Sequence, residues 1–146
     1  DMPPSKKELK EFEDKLSEAQ ANIDSIQKKI DEAAPVDITS IIERLELIEE
    51  KLGVRFDALY GVCIKRTWET PEDFLIEVNF DVIGTVATLK RSFKPTLSAY
   101  NSAGQLLNTE SSFIHNVNFL GIESMKIQLL CREIPVRVRL YPANPM

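Results

Sequence analysis

Histidine is almost absent from this chain: His115 is the only one in 146 residues, and cysteine occurs only at Cys63 and Cys131. A tetrahedral zinc site takes about four nitrogen, sulfur or oxygen ligands, so these three residues make no metal set. Nucleophilic catalysis wants a base beside a serine or cysteine. His115 lies in "FIHNVNF" with no G-x-S-x-G and no aspartate close in sequence, and it reads as a loop or sheet-rim residue. Glycine is scarce as well, at five residues, and no glycine-rich loop precedes a helical pattern, which removes phosphate cradles. There is no run of eighteen apolar residues to span a membrane, and no apolar core follows the first lysines to act as a secretory signal. The sequence therefore offers no catalytic, cofactor-binding or metal-ligating set. A small hydrolase built on His115 and a carboxylate is the reading that these shortages disfavour most.

Excess positive charge is missing too. Residues 1–52 carry 8 Lys/Arg against 14 Asp/Glu, a net of −6, while the other 94 carry 10 against 9, a net of +1. A nucleic-acid protein needs a basic face to displace counterions, and an acidic arm on a near-neutral body does not supply one. Glu49-Glu50 reads as a solvated pair on an exposed helix face. With Met2 as the native start the chain is expected in the cytosol; an export signal trimmed ahead of Asp1 is the other reading. The two cysteines fall in strand-like runs and read as small buried thiols.

What the chain does have is order in its first third. Leu9, Phe12, Leu16, Ala19, Ile23, Ile26, Ile30 and Ala33 recur at alternating intervals of 3 and 4, with polar residues between. That spacing keeps one narrow stripe on one side of a helix, the seam of a coiled coil. Ser5-Lys6-Lys7-Glu8 fits a capping box at its start. A helix of about 28 residues would be roughly 42 Å long, more than a small body can cover. Pro35 interrupts, and Ile38, Ile41, Ile42, Leu45, Ile48 and Leu52 then predict a second helix, opened by Ser40-Ile41-Ile42-Glu43 and closed by Gly53. An αα-hairpin and a kinked continuous arm are both compatible with that break.

From residue 54 the period becomes 2. "FLIEVNFDV" turns Phe74, Ile76, Val78, Phe80 and Val82 to one face, and "IPVRVRLYP" does the same with Ile134, Val136, Val138 and Leu140. Such alternation marks antiparallel strands wet on one side. Weaker strand patterns cover 60–68, 85–93, 96–100, 105–114 and 122–131, with turn chemistry at Thr70-Pro71-Glu72-Asp73 and Asn101-Ser102-Ala103-Gly104. Seven short strands without another helical pattern predict a two-sheet sandwich of immunoglobulin or fibronectin type. The expected class is α+β, with a helical arm over 1–53 and a sandwich over 54–146.

The stretch "LSAYNSAGQLLNTESSFI" (97–114) resembles the central hairpin of FxLYD-type sandwich domains. Tyr100 and Gly104 match, as do "FDVIGTV" before and "MKIQL" after, in order; Leu97, Ala99 and Asn101 depart from the pattern. The similarity covers about residues 74–141 and implies a fold and a general binding role, with no catalytic residues.

Two surfaces are candidates for partners. The stripe from Leu9 to Ile30 is expected to join copies of the chain into a homo-oligomer, or, in a chaperone-like alternative, to hold a client helix. Arg132, Arg137 and Arg139 make either a solvated strand face or a docking patch for an acidic partner, such as a neighbouring acidic arm. Trp68 is either core or an exposed anchor. The expectation is a structural or adaptor protein that binds protein, with no part for nucleic acid, membrane or cofactor.

Overall fold

The computed structural model describes residues 6–30, 35–66 and 73–145; Trp68 and Ala33 lie outside them. A single long helix, α1 (Lys6–Ile30), precedes everything else. The strands are β1 (Val36–Asp37), β2 (Ile42–Arg44), β3 (Val54–Arg66), β4 (Asp73–Gly84), β5 (Lys94–Tyr100), β6 (Leu106–Ser111), β7 (Ile122–Cys131) and β8 (Arg137–Ala143), and a short helix, α2 (Glu46–Leu52), separates β2 from β3. They form two four-stranded sheets, ordered β1-β3-β4-β7 and β2-β8-β5-β6. The α+β class is as expected, and the two sheets fit a β-sandwich.

The alternating runs form as their pattern dictates. Phe74, Ile76, Val78, Phe80 and Val82 are all buried along β4, and Val138 and Leu140 along β8. Phe56 and Phe80 meet at the core with ring centroids 5.3 Å apart. At the β5–β6 turn, Asn101 Oδ1 accepts from the amides of Ala103 (3.0 Å) and Gln105 (2.9 Å), and Gly104 takes a φ of 77°. The "NSAG" turn chemistry works as read.

The second helix does not form as expected, and with it go both the αα-hairpin and the kinked helical arm. Residues 36–44 make β1, a turn of 3-10 helix at Thr39–Ile41, and β2, and only Glu46–Leu52 is helical. Ile42, Glu43 and Arg44 instead run parallel to Val138, Arg139 and Leu140 of β8. Local capping at Ser40 was outweighed by burial: Ile38 and Ile41 belong to the core shared by the sheets, and Ile42 packs against it. The turn is pinned by Asp37 Oδ1, which accepts from Thr39 N at 2.8 Å, and by Thr39 Oγ1, which accepts from Gly61 N at 3.0 Å. Gly53 does end α2, in the left-handed conformation at φ 76°.

The stretch 85–93 is a connection rather than a strand, apart from one bridge between Phe93 and Ile114. Its large apolar residues Val86, Leu89 and Phe93 are spaced by 3 and 4 and lack the period of 2 that a half-buried strand needs. Leu89 and Phe93 turn inward and Val86 outward.

Candidate functional site: a free helix stripe and a groove at the opposite pole

The stripe of α1 divides in two. Ile26 is buried on the body, at 6% exposure, while Leu9, Phe12 and Leu16 are 50%, 62% and 54% exposed. Ala19 and Ile23 are half-buried, and Ile30 is the last residue of the helix. Ile26 shares a small cleft with Val36, Ile38 and Ile41. Ala19 lines another, of about 290 Å³, with Tyr100, Gly104, Arg137 and Arg139. The helix thus roots its C-terminal half beside β1 and the β5–β6 turn and leaves its first three turns uncovered.

The arginine patch is drawn partly inward. The parallel register sets Glu43 beside Arg139, whose Nε donates to Glu43 Oε1 at 2.6 Å, while Arg137 Nε lies 3.9 Å from Oε2. The hydrogen bond to Glu43 raises the Arg139 pKa, and its guanidinium sits 5.4 Å from the Tyr100 ring centre. Arg137 and Arg139 therefore share one carboxylate from their own chain, and Ala19 of their own chain's α1 lines the cleft beside them. Arg132 is exposed just beyond β7.

His115 is exposed, its ring edge-on to Phe113 at 6.0 Å. Cys63 and Cys131 are free, buried and turned to the same core, and burial pushes both thiols up to about 12. Among the described residues no three His, Cys, Asp or Glu side chains gather as a metal site. Among them also, no helix is long and apolar enough to cross a membrane.

Glu49, read as solvated, is 1% exposed. Its carboxylate accepts from Arg44 Nη2 at 2.7 Å, Arg44 Nε at 3.1 Å and the Phe56 amide at 2.9 Å. The hydrogen bond to Glu49 comes first among the causes that raise the Arg44 pKa. A two-point guanidinium–carboxylate contact is directional as well as strong, so it sets α2 firmly against β2 and β3.

The same short helix walls a concavity on its other side. A groove of about 550 Å³ runs between α2, the 85–93 connection and the end of β8. Phe93 forms a buried floor, Ile48, Leu52, Val86 and Pro142 add apolar walls, and Lys51, Lys90 and Arg91 stand on the rim with Glu50. Its size and largely apolar walls are those of a ligand or helix-binding cleft. The 112–121 connection braces it from behind: Asn116 Oδ1 accepts from Ser92 Oγ at 3.0 Å, and Asn116 N donates to the same hydroxyl oxygen at 3.1 Å. The groove is not legible in the sequence because its walls come from three distant segments, one of which, 85–93, carries a weak strand pattern.

Comparison with protein-family models, curated proteins and solved structures finds no match to this chain.

Proposed function

We propose that the protein is a non-enzymatic interaction protein, which associates with itself through α1 and presents its two-sheet body to a protein partner. The observation that carries this reading is the split stripe. One helix face is anchored at Ile26, yet it offers Leu9, Phe12 and Leu16 to water, each at least half exposed. Burying an apolar side chain fully contributes about 1.5–3 kcal/mol, so completing the burial of these three is worth roughly 3 kcal/mol per arm. Association costs about 4–15 kcal/mol in lost freedom, so the arm needs a receiving surface that contributes apolar area of its own.

Strand order supports an immunoglobulin-like body. β4 lies beside β7, and β5 lies between β8 and β6. This corresponds to strand B beside E, and to C between F and C′, in that fold. The parallel β2 stands where the last strand of such a sheet would be. A cytosolic location is part of the proposal and is supported by two buried, unlinked thiols.

Sedimentation velocity at tens of micromolar tests the self-association. The full chain is expected to sediment as more than a monomer, and Phe12→Asp is expected to return it to monomer, with the melting temperature that the wild type shows at dilutions where it is itself monomeric, because the site is exposed within one chain. A monomeric wild type would end this reading.

A further inference from the structure

The root of α1 and the groove lie at opposite ends of β5. β5 begins at Lys94, next to the groove floor at Phe93, and ends at Tyr100, which shares a cleft with Ala19 of α1. Seven residues of strand put about 20 Å between those two points. The arm's root is therefore at the far end of the strand from the groove of its own chain.

Arm and groove are complementary in two respects. Leu9, Phe12 and Leu16 offer a short apolar ridge, and the groove offers an apolar trough floored by Phe93. From residue 8 to residue 18 the arm carries five carboxylates (Glu8, Glu11, Glu13, Asp14 and Glu18) against two lysines. The groove rim carries three cations, Lys51, Lys90 and Arg91, against Glu50. Two arms laid side by side would set these carboxylates against each other; the groove opposes them with the other sign.

Resting on the self-association reading above, we propose that this groove receives the free half of α1 from a second copy of the chain, joining copies head to tail. A ridge that fits a trough at a different place on the chain makes a heterologous contact. Such a contact closes into a ring or extends as a filament rather than stopping at a two-fold dimer.

Mixing two full-length variants tests it. Phe12→Asp removes the ridge and keeps the groove; Lys90→Glu with Arg91→Glu inverts the rim and keeps the ridge. Each alone is expected to sediment as a monomer, and the two together as a 1:1 complex that does not grow with concentration. A chain carrying both the inverted rim and an inverted arm (Glu8→Lys with Glu13→Lys) is expected to assemble again, which separates lost complementarity from lost folding. Raising the salt to about 0.5 M should weaken wild-type assembly by roughly tenfold. If the inverted-rim chain assembles as wild type does, arms pair with arms: the groove proposal fails and self-association through α1 stands. If the wild type is monomeric at every concentration, both fail. A monomeric wild type that floats with phosphatidylserine vesicles, and is released by Lys90→Glu with Arg91→Glu, would make the groove a membrane contact and overturn the proposal equally.

Discussion

Glu49 gathers three donors, two from Arg44 and one from the Phe56 amide, in a setting almost closed to water. Glu49→Ala leaves the buried Phe56 amide without its acceptor and Arg44 without its partner; Arg44 is 24% exposed and can draw on water, so the cost should be about 3 kcal/mol, the lower end for a buried pair. Glu49→Gln keeps an acceptor for Phe56 and should cost less, about 1–3 kcal/mol. Urea unfolding followed by circular dichroism would read both. Nothing in "LIEEKLG" distinguishes Glu49 from Glu50, since which one faces inward depends on where α2 starts and what it leans on. The thiols carry a second prediction at this scale. Cys63 and Cys131 hold their protons up to about 12 when folded, against an ordinary value of 9.0. Their contribution to stability is intact below about pH 9 and is lost as the pH climbs towards 12, when the unfolded chain ionises and the folded one does not. Cys63→Ala with Cys131→Ala should flatten that alkaline loss. A thiol reagent at neutral pH should label the wild type only at the rate of its unfolding.

Elements formed where local pattern and burial agreed. β4 and β8 show alternation that survives folding unchanged, and the Asn101 turn satisfies its own amides. They disagreed over residues 38–44, where a helical spacing yielded to strand pairing with β8. Gly61 shows why the pairing is tight: a Cβ there would come within 2.4 Å of Ile42 Cδ1 and 3.4 Å of Val78 Cγ2. Ile42 Cδ1 is the end of a flexible, half-buried side chain that can turn aside, so Gly61→Ala should lower stability by no more than about 1 kcal/mol, with hydrogen exchange rising first at residues 36–44. β3 holds a different local cost. Between Asp57 and Tyr60 it takes one residue more than β4, and Ala58 sits at φ 52°. An L-residue pays for that conformation where glycine does not; Ala58→Gly should gain roughly 0.5–1 kcal/mol and Ala58→Val should lose more than that. Thermal melts of the pair would show opposite signs.

At the scale of the whole molecule, the arm meets the body over a short stretch of its length. Ile26 is the one fully buried apolar side chain that α1 supplies among its described residues. A chain of residues 35–146 should keep its β signature in circular dichroism while losing about 2–4 kcal/mol, because the cover over Val36, Ile38 and Ile41 goes with Ile26. The same truncation should sediment as a monomer. Phe12→Asp in the full chain should do so while keeping the stability of the monomeric wild type, which separates the arm's two halves by two measurements.

From residue order alone came everything that depends on neighbours close along the chain: the 3–4 stripe of α1, the period-2 faces of β4 and β8, the Asn-Gly turn and the glycine stop at Gly53. Each is settled by side chains within a turn or a pleat of one another. Folding decided what depends on residues far apart in sequence: that Ile42 joins β8, that Glu49 turns inward to Arg44, that Glu43 draws in Arg137 and Arg139, and that three separate segments wall one groove. Burial of apolar surface is shared across the whole core and outweighs the few tenths of a kcal/mol by which one local conformation is preferred to another, so at those places the distant contacts prevailed.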